Sequence, residues 1–100
     1  MRVQSIRRQV PALIQAREEF RSRGDTITGI RGPAATTGRL PRDLAEDYRA
    51  YAGDIEYTVL SYRTPIAWVV RDRIVIPPVR YSVTTSRHQS MASAALAWHQ

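Results

Sequence analysis

The chain contains neither cysteine nor lysine, and each absence narrows what the protein can be. Without cysteine it forms no disulfide, holds no thiolate-bound metal and offers no thiol nucleophile. All fifteen basic side chains are arginines. That bias fits a GC-rich coding sequence, because a protein selected for phosphate binding could use either cation. Because the chain has no cysteine, we expect a cytoplasmic protein, and we expect it to carry neither a metal ion nor a cofactor.

Long apolar runs and concentrated charge are also missing. No segment approaches the roughly 18 apolar residues of a membrane span, and the first residues lack the apolar core of a signal peptide, so no membrane association is expected. The net charge of +6 allows nucleic-acid binding. However, the first fifty residues hold ten arginines against six acids, and the last fifty hold five against three. The length of 100 residues and the 43% hydrophobic content predict a single domain over residues 1–100.

The first forty residues predict one helix followed by a long loop. Here the apolar positions recur at the spacing of one helical face. Proline is tolerated only in a helix's first turn, so Pro11 makes the secure helix begin close to Gln9 or Val10, and Gly24 ends it. Residues 24–40 contain four glycines and a proline, which predicts a loop with at most one short extended piece at residues 26–31.

A second helix and a small sheet are predicted for the middle of the chain. Pro41 suits a first helical position, and Gly53 ends this helix. Its inward-facing side chains are expected to be Leu40, Leu44, Tyr48 and Tyr51. Residues 55–84 predict an antiparallel sheet of three or four strands, with a tight turn at residues 71–73 and a last strand at residues 79–84. Pro65 makes residues 63–65 either a second turn or a bend in one long strand. The residues expected on one face of the first strand are Ile55, Tyr57 and Val59.

The C-terminal segment predicts a third helix. Ser86 and Gln89 have the spacing of a capping box, in which each side chain bonds the other residue's backbone N–H, so the helix is expected at residues 87–98. One stripe of this helix is formed by His88, Met91, Ala95 and Trp98. The fold class is therefore α+β, a small antiparallel sheet covered by an N-terminal, a middle and a C-terminal helix.

The start of the last helix is the candidate binding site. A helix N-terminus offers unpaired N–H groups to an anion, and the residues clustered there are Thr84, Thr85, Ser86, Arg87 and His88. In the structural alternative, the same residues only close the helix and bury His88 as a hydrogen-bonded core residue. No carboxylate that could complete a catalytic relay is identifiable, and the two histidines make no metal pair.

Two segments of the chain resemble a group of small uncharacterised bacteriophage proteins, common in phages of actinobacteria. In the first, the matching residues are Ser61, Tyr62, Thr64, Ile66 and Ala67; in the second, they are Tyr81, Ser82, Thr84, Thr85, His88 and Gln89. Leu60 stands where a tyrosine is usual. The similarity covers roughly residues 38–90 and includes the motif GRLP. It implies a phage or prophage origin and carries over neither an activity nor functional residues.

Three functional hypotheses follow from these patterns. The first is a non-enzymatic accessory protein in the host cytoplasm. It would bind a host or phage protein through the arginine-rich first helix, the glycine-rich loop and residues 84–88, and a homodimer is possible. The alternative is a nucleic-acid-binding module with the candidate phosphate contacts Arg7, Arg8, Arg31, Arg39 and Arg87. The third is a small hydrolase that uses His88.

Overall fold

The structure is a computed structural model that describes residues 3–5, 10–22, 24, 26–78 and 83–97, without the side chains of residues 3–5 and 83. Within these ranges the chain forms six strands and three α-helices. The strands are β1 (Val3–Ser5), β2 (Phe20–Ser22), β3 (Ile27–Arg31), β4 (Ile55–Ser61), β5 (Thr64–Val70) and β6 (Arg73–Val75). The helices are α1 (Val10–Gln15), α2 (Arg42–Ala50) and α3 (Val83–Ala97). The α+β class is thereby confirmed.

All six strands belong to one sheet, in the order β1-β2-β3-β4-β5-β6. β1 runs parallel to β2, and every other neighbouring pair is antiparallel. The prediction of three or four strands was therefore too low. Of the expected strand at residues 79–84, residues 79–82 lie outside the described ranges, and Val83 and Thr84 belong to α3.

The sheet is covered on both faces, so its central strands are buried almost throughout. α1 and α3 cover one face with a large apolar cluster, whose members are Val10, Ile14, Phe20, Ile27, Tyr57, Val59, Ile66, Ala67, Val69, Ala92, Ala95 and Leu96. α2 covers the other face with a smaller cluster of Leu40, Ala45, Tyr48, Ile55 and Trp68. The chain thus has three layers, with the sheet in the middle.

A register shift in β4 explains why one expected face was wrong. Tyr57 and Val59 pack in the larger cluster, as alternation predicts, but Ile55 packs in the smaller cluster on the opposite face. The pairing of β4 with β5 shifts between Ile55 and Tyr57. An extra residue in one strand turns all preceding side chains to the other face.

The first helix is much shorter than predicted. α1 ends at Gln15, and Arg17 adopts a left-handed φ of 56°. The Arg17 N–H donates to the Ile14 carbonyl, and the Glu18 N–H donates to the Leu13 carbonyl. These two bonds form a Schellman motif, which closes the helix seven residues before Gly24.

The other two helices are close to their predicted positions, with differences at their ends. In α2, Tyr48 is buried, but Tyr51 is 55% exposed because it lies at the C-cap, beyond the last helical turn. α3 begins at Val83, four residues earlier than the capping box predicts. Its expected packing residue Trp98 lies outside the described residues.

Two tight turns join β4, β5 and β6, and one of them is the turn predicted at residues 71–73. Arg71 and Asp72 connect β5 to β6 with φ values of 50° and 65°, and positive φ at both central residues is the signature of a type I′ turn. Between β4 and β5, Ser61 pairs with Thr64, so Tyr62 and the following residue form a second two-residue turn.

Candidate functional site

The two ends of the sheet differ in charge. β4 is seven residues long, so its ends are about 20 Å apart. At the end where β4 begins, three arginines each pair with a carboxylate: Arg17 with Glu56 at 3.5 Å, Arg31 with Glu18 at 3.2 Å, and Arg71 with Asp54 at 2.8 Å. We call this the paired end. Its positive charges are largely neutralised by their neighbours.

At the other end, three exposed arginines lie on segments that form or contact the β4–β5 turn. Arg63 belongs to the turn itself. The backbone N–H of Arg39 donates to the Thr64 hydroxyl at 2.8 Å, which holds the loop before α2 against the turn. Arg87 lies on the second turn of α3, beside His88. In the described part of the chain, none of these three guanidinium groups forms an ion pair. We name the surface formed by Arg39, Tyr62, Arg63, Thr84 and Arg87 the arginine corner.

A hydroxyl–imidazole cluster fixes α3 to the turn beneath this corner. The Ser61 hydroxyl donates to the Thr85 hydroxyl at 3.0 Å and lies 2.8 Å from Nδ1 of His88. The His88 ring also lies beside the Tyr62 ring, with centroids 6.4 Å apart. His88 is half-buried, which confirms its prediction as a partly buried, hydrogen-bonded residue. The cluster therefore joins the end of β4 to the start of α3.

The direction of these bonds argues against a nucleophile–base pair at Ser61 and His88. A hydroxyl has one proton to donate, and that of Ser61 goes to Thr85. His88 must therefore donate from Nδ1 to Ser61, whereas a catalytic base would accept the proton of the hydroxyl. Ser61 is also only 1% exposed, so a substrate has no access to its oxygen. The arrangement orients the two segments relative to each other.

Gln89 fastens the same helix to the sheet edge. Its side-chain amide donates to the backbone carbonyls of Ile66 and Pro77, both at 3.1 Å. The predicted capping box is therefore wrong. Ser86 lies inside the first turns of α3, and the Gln89 side chain points to the sheet rather than back along the helix. A helix that starts earlier leaves no terminal N–H for either side chain to cap.

A second polar network holds the loop that carries Arg39. The Ala34 N–H donates to the Tyr48 hydroxyl at 2.6 Å, and the Thr58 hydroxyl donates to the Gly32 carbonyl at 3.0 Å. The Tyr48 and Thr58 hydroxyls lie 2.7 Å apart, so the Tyr48 proton goes to Thr58. Burial raises the pKa of the Tyr48 hydroxyl. The Tyr48 ring packs edge-on against the Trp68 ring, with centroids 4.8 Å apart. The loop is therefore anchored to α2 and β4.

Glycine is required where this loop meets the turn. Gly38 has a φ of 50°, and a Cβ at this position would collide with the Thr64 side chain and the Arg63 carbonyl. The close approach brings the GRLP motif against the turn. It also explains in physical terms why a glycine precedes Arg39.

The structure separates the residues that the sequence grouped together. The predicted anion site lies within α3, where Thr84 and Arg87 are exposed, Ser86 and His88 are half-buried and Thr85 is buried. α1 packs against α3 on the same face of the sheet, but Arg17, just after α1, and Arg31, in the glycine loop, pair with carboxylates at the paired end.

The predicted nucleic-acid contacts are divided in the same way. Arg39 and Arg87 lie at the arginine corner, Arg31 pairs with Glu18, and Arg7 and Arg8 lie outside the described residues. Sequence reasoning missed Tyr62 and Arg63. Their position between two β-rich runs was the available signal, but it left open whether they formed a turn or a bend.

The described ranges contain no group of three or more histidine, aspartate or glutamate side chains that could hold a metal ion. They also contain no helix with the length and apolar character needed to cross a membrane.

Comparison with known proteins assigns a family without an activity. No curated protein and no solved structure matches the chain significantly. The model of the Family of unknown function (DUF8033) matches residues 1–95. That match includes all the described residues of the arginine corner and the clusters beneath it. The chain therefore belongs to the Family of unknown function (DUF8033).

Proposed function

We propose that this protein acts by non-catalytic binding to a negatively charged macromolecule, with the arginine corner as its contact surface. The observation that carries the proposal is the separation of charge along the sheet. Three arginines at the paired end are matched by carboxylates and Arg73 there is exposed without an ion pair, whereas all three arginines of the corner are exposed and have no ion pair within the described residues. Unpaired guanidinium groups attract a polyanion most strongly, because no local carboxylate cancels their field.

The rigidity of the corner supports the same proposal. Arg39 follows a glycine packed against the turn, and Arg87 lies on a helix bonded to Ser61 through Thr85 and His88. The three arginines project from three anchored backbone segments, so less backbone conformational entropy is lost when a partner binds. A guanidinium also presents a planar fork of donors that matches phosphate and carboxylate oxygens.

The setting we propose is an accessory role for a phage protein in the cytoplasm of its host. The resemblance to small phage proteins supports this origin. The corner alone is the proposed contact surface, since Arg17, just after the first helix, pairs with a carboxylate at the other end of the sheet. A host or phage protein with an acidic surface would fit this general proposal.

Elution from a heparin column tests whether the corner is where a polyanion binds. The variant Arg63→Glu/Arg87→Glu reverses two corner charges. The matched control Arg49→Glu/Arg73→Glu reverses two exposed arginines, near the end of α2 and at the start of β6, which also form no ion pair in the described structure. Both variants lower the formal net charge from +6 to +2. Net charge therefore cannot account for a difference between them.

We expect the corner variant to elute at clearly lower salt than the matched control. Both variants should retain the circular dichroism spectrum of the wild type, since the substituted side chains are exposed. Elution of the two variants at the same salt concentration would mean that heparin senses only net charge, and the proposal would be wrong.

A further inference from the structure

We infer that the partner of the arginine corner is single-stranded nucleic acid, contacted through its phosphates by the arginines and through one base by Tyr62. This inference rests on the proposed function and narrows it to one class of polyanion. It is carried by two observations: the exposed apolar side chains are scattered, and an exposed aromatic ring stands among unpaired arginines.

The scattering of exposed apolar side chains disfavours a protein partner. The large hydrophobic side chains exposed in the described structure are Tyr51, Tyr62 and Ile74. They lie on three different elements: the end of α2, the β4–β5 turn and β6. Stable protein interfaces have an apolar core surrounded by a polar rim. Nucleic-acid interfaces are more polar and strongly positive, which matches the corner.

Tyr62 has the position and support of a stacking platform. It is 52% exposed and occupies the first position of the two-residue turn, with a φ of 59°. The half-buried His88 ring lies beside it at 6.4 Å. His88 is itself hydrogen-bonded to Ser61, so the Tyr62 ring lies beside an imidazole that is held in place. Unpaired bases stack on exposed aromatic rings of this kind, whereas a duplex keeps the faces of its bases covered.

Arg63 adjoins Tyr62 in the turn, and Arg39 and Arg87 belong to the segments that meet the turn. A single strand that stacks one base on Tyr62 would bring neighbouring phosphates within reach of these cations. Three phosphate contacts on a single strand predict that log K falls with log salt at a slope of about −2.

Fluorescence anisotropy with a labelled 12-nucleotide oligothymidylate tests the inference on the full chain. We expect binding at low salt, with a salt-dependence slope near −2 and weaker binding to a duplex of the same length. Tyr62→Ala should weaken binding by roughly 5- to 150-fold, the range found when a stacking residue is removed. Tyr62→Phe should keep most of the affinity, since it keeps the ring.

Each of these variants has a matched control at a distance from the corner. Tyr51→Ala removes an equally exposed tyrosine, and Arg73→Ala removes an exposed arginine from β6. Neither control should weaken binding beyond twofold, whereas Arg63→Ala should lower both the affinity and the salt slope.

Three results would overturn the inference: no binding of the oligonucleotide at low salt, equal binding of single strand and duplex, or equal losses for Tyr62→Ala and Tyr51→Ala. The heparin comparison keeps this failure separate from that of the proposed function. If heparin elution depends on the corner but the oligonucleotide does not bind, the polyanion site stands and its nucleic-acid identity is wrong. If neither depends on the corner, both proposals fail.

Discussion

The buried network around Tyr48 makes a quantitative prediction about stability. The Tyr48 hydroxyl accepts from the Ala34 N–H and donates to Thr58, and Tyr48 is only 1% exposed. Tyr48→Phe removes this oxygen while keeping the ring and its contact with Trp68. The Ala34 N–H then loses its acceptor. A buried polar group left without its partner costs about 1–3 kcal/mol, so we expect a loss of about 2 kcal/mol.

Urea unfolding and thermal melting measure this loss. For a domain of this size, 2 kcal/mol corresponds to a fall in Tm of roughly 8–16 °C. Thr58→Val should cost a similar amount, because it leaves the Gly32 carbonyl without this donor and the Tyr48 hydroxyl proton without its acceptor. The double variant should be less destabilised than the sum of the two single variants, by about 1 kcal/mol, since removing both hydroxyls leaves fewer unsatisfied groups.

Tyr51→Phe is the matched control for this experiment. Tyr51 is 55% exposed, so its change should stay within about 0.5 kcal/mol of the wild type. The reasoning would be refuted if Tyr48→Phe were as mild as Tyr51→Phe, or if the two single changes added without any coupling. Either result would mean that the loop before α2 is not held by this hydrogen-bond chain.

Three other predictions test the packing of α3, the loop and the sheet. Gln89→Ala should cost about 1–2 kcal/mol in urea unfolding because two backbone carbonyls lose their donor, whereas Ser86→Ala should change stability by under about 0.5 kcal/mol. A loss of stability for Ser86→Ala larger than that for Gln89→Ala would mean that the predicted capping box forms after all. Gly38→Ala should lower the free energy of unfolding by about 2 kcal/mol or more, because the residue has a left-handed φ and the new Cβ would be crowded. Gly53→Ala is the control, because a Cβ at that position contacts no other atoms. Equal losses for the two variants would contradict the close packing of Gly38 against the turn. Burial, reinforced by nearby carboxylates, raises the pKa of Tyr57 above its unfolded value of about 10. The folded state then holds this proton more tightly, so stability should fall as the pH rises above about 10, and Tyr57→Phe should flatten that fall in urea titrations. If the stability of the wild type and that of Tyr57→Phe fell in parallel as the pH rose, this prediction would be wrong.

Strong local patterns in the sequence predicted the parts of the fold that form between near neighbours. The turn at residues 71–73, the β-rich runs around it and the existence of α2 and α3 were all readable from periodicity and turn residues. Phe20 shows where this method fails. Its spacing from earlier apolar residues suits a helical face, yet it begins a three-residue strand. A strand that short carries almost no periodic signal of its own.

The remaining errors involve choices made by distant parts of the chain. The shift at Ile55 is set by the pairing of β4 with β5, and the left-handed Arg17 that ends α1 is not marked by a glycine. The candidate site also depends on contacts between distant parts of the chain. Arg39 and Arg87 were named from the sequence, but their meeting with Arg63 depends on the packing of a loop and a helix against one turn. No local pattern contains that information.

The most direct test of the central claim is to map where a polyanion touches the protein. In ¹⁵N-labelled protein titrated with a short heparin fragment, the amide signals that shift most should come from residues 38–39, 61–64 and 84–88. Signals from residues 17–19, 54–56 and 71–73, at the paired end, should move little. Dominant shifts at the paired end, or equal shifts at both ends, would contradict the assignment of the arginine corner as the contact surface.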